Sequence, residues 1–179
     1  MKQANLQLLA ALGCNLLMLF LLFSWNEYWT RHGVYFHLPG LFFLFGAIRL
    51  DDRRAIGLAT LTGLLIDSAT PAPLGLHAFG LVLCHLVSKE TGKGMLSLRG
   101  FRPIINQQAG NLFLLTLLTA WSIGTAFAEK ITPDYARIAG DVLLSHLRLI
   151  PIGIWFLAFQ EKIMLFLSPE TMEQALGDE

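Results

Sequence analysis

The chain has 179 residues, of which 54% are hydrophobic and 15% charged, with a mean hydropathy of +0.56 and no formal net charge. A water-soluble domain of this size cannot hide that much apolar surface, so the composition predicts a membrane protein and excludes a soluble globular one. The balanced charge, without any basic block, excludes an electrostatic nucleic-acid binder.

In chain order, the apolar run Leu6 to Phe23 is long enough to cross about 30 Å of hydrocarbon and lacks a following A-x-A cleavage signal, so it predicts a retained first span over 6–23. Asn15, inside it, is expected to bond a neighbouring helix. Trp25, Glu27, Tyr28 and Trp29 have the composition of a membrane–water interface. A second span is expected over 34–50, with His37 and Pro39-Gly40 near its start marking a kink or a late helix start. Asp51, Asp52, Arg53 and Arg54 form a short polar turn into a third span over 55–69. A Pro-rich turn leads to a fourth span over 74–88, and residues 89–103 make the longest polar connection. A fifth span over 104–127 begins among Asn106, Gln107, Gln108 and Asn111, amides suited to joining helices. The sixth, over 138–159, contains Asp141, His146, Arg148 and a Pro151–Gly153 interruption, before a short cytoplasmic tail over 160–179.

These elements predict a single all-α domain with six transmembrane helices. One set of helix ends holds Lys2, Arg49, Arg53, Arg54, Lys89, Lys93, Arg99, Arg102 and Lys162, the other Arg31, Lys130 and Arg137. That asymmetry puts both termini in the cytoplasm and turns the Pro-rich loop outward.

Between residues 55 and 87 the sequence concentrates its unusual features. Ala55, Ala59, Gly63 and Asp67 recur every four residues and share one helix face, a stripe for close contact with another helix, within this bundle or on a partner. The turn Pro71, Ala72, Pro73, Leu74 and Gly75 reverses the chain ahead of His77. An ionisable side chain at membrane depth needs a partner. For Asp67 three roles are open: packing, capping the fourth span, where Thr70-Pro71 also resembles a cap followed by an N1 proline, or an intramembrane ion pair with Arg148. His77, His85 and His146 form no metal-binding spacing, and Cys14 and Cys84 read as small buried hydrophobes. Neither a nucleophile elbow nor a phosphate loop is present, so no enzyme, metal or cofactor is expected.

The stretch GLLIDSATPAPLGLHAFGLVLCHLV, Gly63 to Val87, resembles the MreD family of bacterial rod-shape-determining inner-membrane proteins. The family's Gly-x-x-x-Asp ending one helix and Leu-Gly opening the next correspond to Gly63, Asp67, Leu74 and Gly75. Pro133 and Pro151 fit more loosely, and the second span, with His37-Leu38-Pro39-Gly40, departs from the family's usual opening. The resemblance implies a non-catalytic subunit of the cell-elongation complex that binds MreC and, through it, MreB and the peptidoglycan glycosyltransferase and transpeptidase. Apart from the resemblance, the cytoplasmic face with Arg53, Arg54, Arg99 and Arg102 suits membrane lipid, and the small-residue stripe leaves a homo-oligomer open. The family is similar to the S-components of energy-coupling-factor vitamin transporters, which gives an alternative: a small-solute-binding subunit using Asp67, His77, Asp141, His146 and Arg148.

Overall fold

The core is built around the apolar segment following the first helix. A computed structural model describes residues 2–91, 102–129, 132 and 134–167. Its elements are α1 (Lys2–Thr30), a 3-10 turn (Pro39–Leu41), α2 (Leu44–Arg49), α3 (Asp52–Ala69), α4 (Leu76–Thr91), α5 (Arg102–Ala128) and α6 (Tyr135–Leu167). Leu38, Leu41, Phe42, Phe43, Leu44 and Phe45 are almost entirely buried and belong to one apolar cluster shared with α1, α3, α4, α5 and α6.

The segment is not one helix over 34–50, and it bears out the late helix start expected at Pro39-Gly40: the chain runs irregularly to Leu38, makes the 3-10 turn and closes with the six-residue α2. Pro39 supplies no amide and biases Leu38 away from helical backbone, which favours starting a helix at Pro39 over running one through it, and Leu38 is indeed non-helical at φ −122°, ψ 44°. Gly40 also has a packing reason: a Cβ there would lie 2.6 Å from Asn111 Cβ and 2.8 Å from the Gln107 carbonyl oxygen.

Non-helical backbone inside a membrane protein needs side-chain partners, and these come from three helices. Asn26 of α1 brackets Phe36, accepting its N–H at 2.8 Å and donating to its carbonyl at 2.7 Å. Asp141 and Ser145 of α6 accept the N–H groups of Tyr35 at 3.2 Å and His37 at 2.9 Å. Asn111 of α5 accepts the Gly40 N–H at 3.0 Å. The α6 pair fits because one helical turn and two extended residues both advance about 6 Å.

Among the described residues, three helices are long and apolar enough to cross a membrane: Asn5–Thr30, Arg102–Ala128 and Tyr135–Leu167. The chain is therefore an all-helical membrane protein. The first and fifth expected spans lie inside α1 and α5. The 18-residue α3 carries Asp52, Arg53, Arg54 and Asp67, and α4 has 16 residues, so neither matches the three long helices in apolar length.

α6 departs from expectation twice. It continues without a break through Pro151 and extends to Leu167, eight residues into the expected tail. A proline in the helix interior deletes one amide donor, and here the surrounding turns keep the helix intact. Residues 168–179, Lys93, Arg99, Lys130 and Pro133 lie outside the described residues.

Polar side chains join the long helices, as expected for Asn15. It donates to Thr62 Oγ1 of α3 at 3.0 Å and accepts from Gln160 Nε2 of α6 at 3.1 Å. Gln108 of α5 reaches the His146 carbonyl of α6 at 3.2 Å. One end of the bundle carries the ion pairs Arg49–Glu161, Lys89–Asp52 and Arg54–Asp51. Cys14 and Cys84 are buried free thiols.

Candidate functional site

Asp67 occupies the last turn of α3, where the chain must reverse within the short turn to Gly75. Its buried carboxylate accepts from the first amides of α4: Oδ2 from Gly75 N–H at 2.8 Å and Ala78 N–H at 3.4 Å, Oδ1 from His77 N–H at 3.0 Å. The His77 ring adds a fourth contact, Nδ1 to Oδ1 at 2.7 Å. All four acceptor positions of the carboxylate are thus engaged, at the helix end whose exposed amides favour negative charge. Asp67 is an N-cap for α4 supplied by α3.

Thr70 and Pro71 do not form the expected cap. α4 starts at Leu76, while Thr70 is the C-cap of α3 and its hydroxyl donates to the Ile66 carbonyl at 3.0 Å. Gly75, at φ +100°, makes the left-handed step that lets the next residues face Asp67. Leu74 projects from the turn, 76% exposed.

The small-residue stripe serves this hairpin and its neighbour α2. Ala55 lies against Gly46 of α2, where a Cβ on Gly46 would sit 3.6 Å from that of Ala55. Ala55 and Ala59 are each 2% exposed. At Gly63 the α4 backbone passes so closely that a Cβ would lie 2.2 Å from Ala78 Cα. Of the stripe's two expected uses, these contacts take the one within the bundle.

From Asp67 a hydrogen-bonded chain continues outward, with His77 Nε2 3.0 Å from His37 Nε2. A carboxylate only accepts, so His77 carries its proton on Nδ1. With both rings neutral, His77 Nε2 accepts, His37 donates from Nε2, and His37 Nδ1 is left as an acceptor.

His37 lines a cavity of about 430 Å³ formed by four parts of the fold. Tyr35 lines it beside His37, and Ala69, Thr70 and Pro71 line it from the end of α3; α5 contributes Leu115, Leu118, Thr119 and Ser122, and α6 contributes Ile138, Asp141, Val142 and Ser145. On each helix the four residues follow an i, i+3, i+4, i+7 pattern, one continuous face. Each helix presents two apolar and two polar residues to the cavity, Thr119 and Ser122 on α5 and Asp141 and Ser145 on α6 being the polar ones.

The expected Asp67–Arg148 ion pair is not formed. Arg148 is exposed, its guanidinium 5.9 Å from the Trp25 ring centroid and 5.8 Å from that of Phe36. The aromatic faces attract the cation there, while Asp67 has spent its acceptors inside the hairpin. Reversing both charges, as Asp67→Arg with Arg148→Asp, should therefore leave folded yield no higher than Asp67→Arg alone. Rescue by the double variant would contradict this assignment.

Of the five polar residues suggested for a solute site, Asp67 and His77 pair with each other and only Asp141 lines the cavity. His146 Nδ1 bonds the Val142 carbonyl of its own helix at 3.0 Å. Among the described residues no cluster of three or more His, Cys, Asp or Glu side chains is placed to hold a metal. Sequence reasoning missed His37, Tyr35, Ser122 and Ser145. The matching faces of α5 and α6 were a usable signal for the serines; the approach of His37 to His77 had none.

Fold and site together define an all-helical membrane protein with a carboxylate-capped hairpin beside a cavity. No family model, curated protein or solved structure matches the chain.

Proposed function

We propose that the chain is a six-span, non-catalytic membrane scaffold of the MreD type, acting in bacterial cell elongation by binding MreC and, through it, the peptidoglycan synthases. In this reading α2 with its preceding turn, α3 and α4 complete the membrane layer begun by the three long helices, a layout like that of S-components. Both termini face the cytoplasm, and the turn at residues 70–75 faces outward.

The observation that carries the proposal is the use of the motif's residues. Gly63, Asp67 and Gly75 lock one hairpin to itself, which makes the motif an architectural element and not a reactive one. Chemistry is then left to partners. The outer halves of α5 and α6 offer apolar surface for them, with Trp121 46%, Phe127 64%, Leu143 61% and Leu147 58% exposed.

The test is affinity purification of tagged chain from native membranes in mild detergent, beside the variant Leu143→Arg. MreC and the elongation synthases should accompany the wild type and be depleted at least about tenfold in Leu143→Arg, the scale of one lost interface anchor. Recovery of a transporter ATPase module in place of MreC would replace this function with the solute-binding alternative.

A further inference from the structure

The cavity beside His37 combines features that the scaffold reading leaves unused. Its polar groups include hydroxyls and two acceptors: the Asp141 carboxylate, and His37 Nδ1, which is that ring's acceptor when both histidines are neutral. Asp141 spends one oxygen on the Tyr35 N–H, and its other oxygen lies 4.0 Å from Arg137 Nε. A cation is thus poised one helical turn beyond the acceptors, towards the start of α6.

Depth adds a second constraint. Glu161, paired with Arg49 at the charged end of the bundle, is separated from Asp141 by roughly 20 residues, or about 30 Å of helix rise, one hydrocarbon thickness. Asp141 and the cavity therefore lie at headgroup level on the opposite face. The walls, Leu115, Leu118, Ile138 and Val142, suit the first carbons of acyl chains. A volume of about 430 Å³ falls in the range of sites for small ligands and headgroups.

We infer that this cavity binds the headgroup of an aminophospholipid, its primary ammonium donating to Asp141 and His37 and its phosphate meeting Arg137. The ammonium has three donors for these acceptors, and the adjacent phosphate complements the guanidinium. An anionic lipid without an amine could also set its phosphate on Arg137, but it would bring no cationic donor to the Asp141 carboxylate. A choline head carries the charge and lacks the donors. Asp67 and His77 act as positioning residues, because they determine which nitrogen His37 presents.

The proposal is tested by native mass spectrometry of the full chain in mild detergent, titrated with phosphatidylethanolamine, phosphatidylglycerol and phosphatidylcholine. Phosphatidylethanolamine should bind about tenfold more tightly than the other two, the ratio expected for one charge-assisted hydrogen bond. Asp141→Asn should erase the preference. Ser122→Leu, which fills the cavity from an exposed helix position, should lower retention of phosphatidylethanolamine, and Gly124→Ala, whose added Cβ meets nothing within 4 Å, should not. Equal binding of the three lipids by wild type, or a preference that survives both Asp141→Asn and Ser122→Leu, would overturn the site. Displacement of the lipid by equimolar water-soluble glycerophosphoethanolamine would reassign the site to a free amine solute and overturn its assignment to a lipid.

Discussion

Gly63→Ala should be among the most damaging single-methyl changes in this protein. The new Cβ would lie 2.2 Å from Ala78 Cα, 2.4 Å from Ala78 N and 2.7 Å from the His77 carbonyl carbon. All three are backbone atoms, so no side-chain rotation relieves the clash and α4 itself must move. Overpacking typically costs about 1–3 kcal/mol, and a contact made only with backbone belongs at the upper end. Moving Ala78 also stretches the amide contacts that Asp67 makes with α4, so the hairpin loses its cap together with its packing. Thermal unfolding of the purified protein in detergent measures the effect. Gly57→Ala is the matched control: on the same helix, with nothing within 4 Å of its Cβ, it should be neutral or stabilising by up to about 1 kcal/mol through helix propensity. Equal unfolding temperatures for the two variants would contradict the close helix approach.

Asp67→Ala should destabilise at least as strongly, through polar groups and not volume. It removes the acceptor for the Gly75, His77 and Ala78 amides and for His77 Nδ1. Each buried donor left unmade costs about 1–3 kcal/mol, and local relaxation recovers part of the sum, so a loss of about 3–5 kcal/mol is expected. Asp67→Asn should fall between wild type and alanine. Its single carbonyl oxygen serves one side of the contact set, while its amide nitrogen turns donors toward donors. The readout is resistance to unfolding by increasing denaturing detergent, with folded fraction followed by tryptophan fluorescence. An Asp67→Asn protein as resistant as wild type would mean that the carboxylate is not what holds the α4 terminus.

The hairpin behaves differently from the second span, although both stood out in the sequence. Asp67 was recognisable because a carboxylate in an apolar run demands a partner, and capping the next helix was among the roles it admitted. Its actual partner amides begin at Gly75, since the chain extends through the two prolines before α4 starts. Thr70 and Pro71 were misleading because a cap-like dipeptide acts as a cap only where a helix follows. The second span was legible in part: Pro39-Gly40 marked the late helix start, while the hydrophobicity of Leu38 to Ala47 does not separate a helix from a buried irregular segment. Arg148 needed a partner just as Asp67 did, and found aromatic faces in place of the carboxylate.

Sequence alone determined the membrane class, the long helices α1, α5 and α6, the hairpin between α3 and α4, and the need to neutralise Asp67. These follow from composition, run length and breaker residues, which act over a few turns of chain. Tertiary structure alone decided how residues 34–43 fold, what Arg148 touches, and that His37 meets His77 beside a cavity. Those outcomes rest on partners such as Asp141 for Tyr35, Ser145 for His37 and Asn111 for Gly40, contributed by helices far along the chain. A backbone amide buried away from water takes whatever acceptor packing brings within reach, and packing depends on all the helices at once.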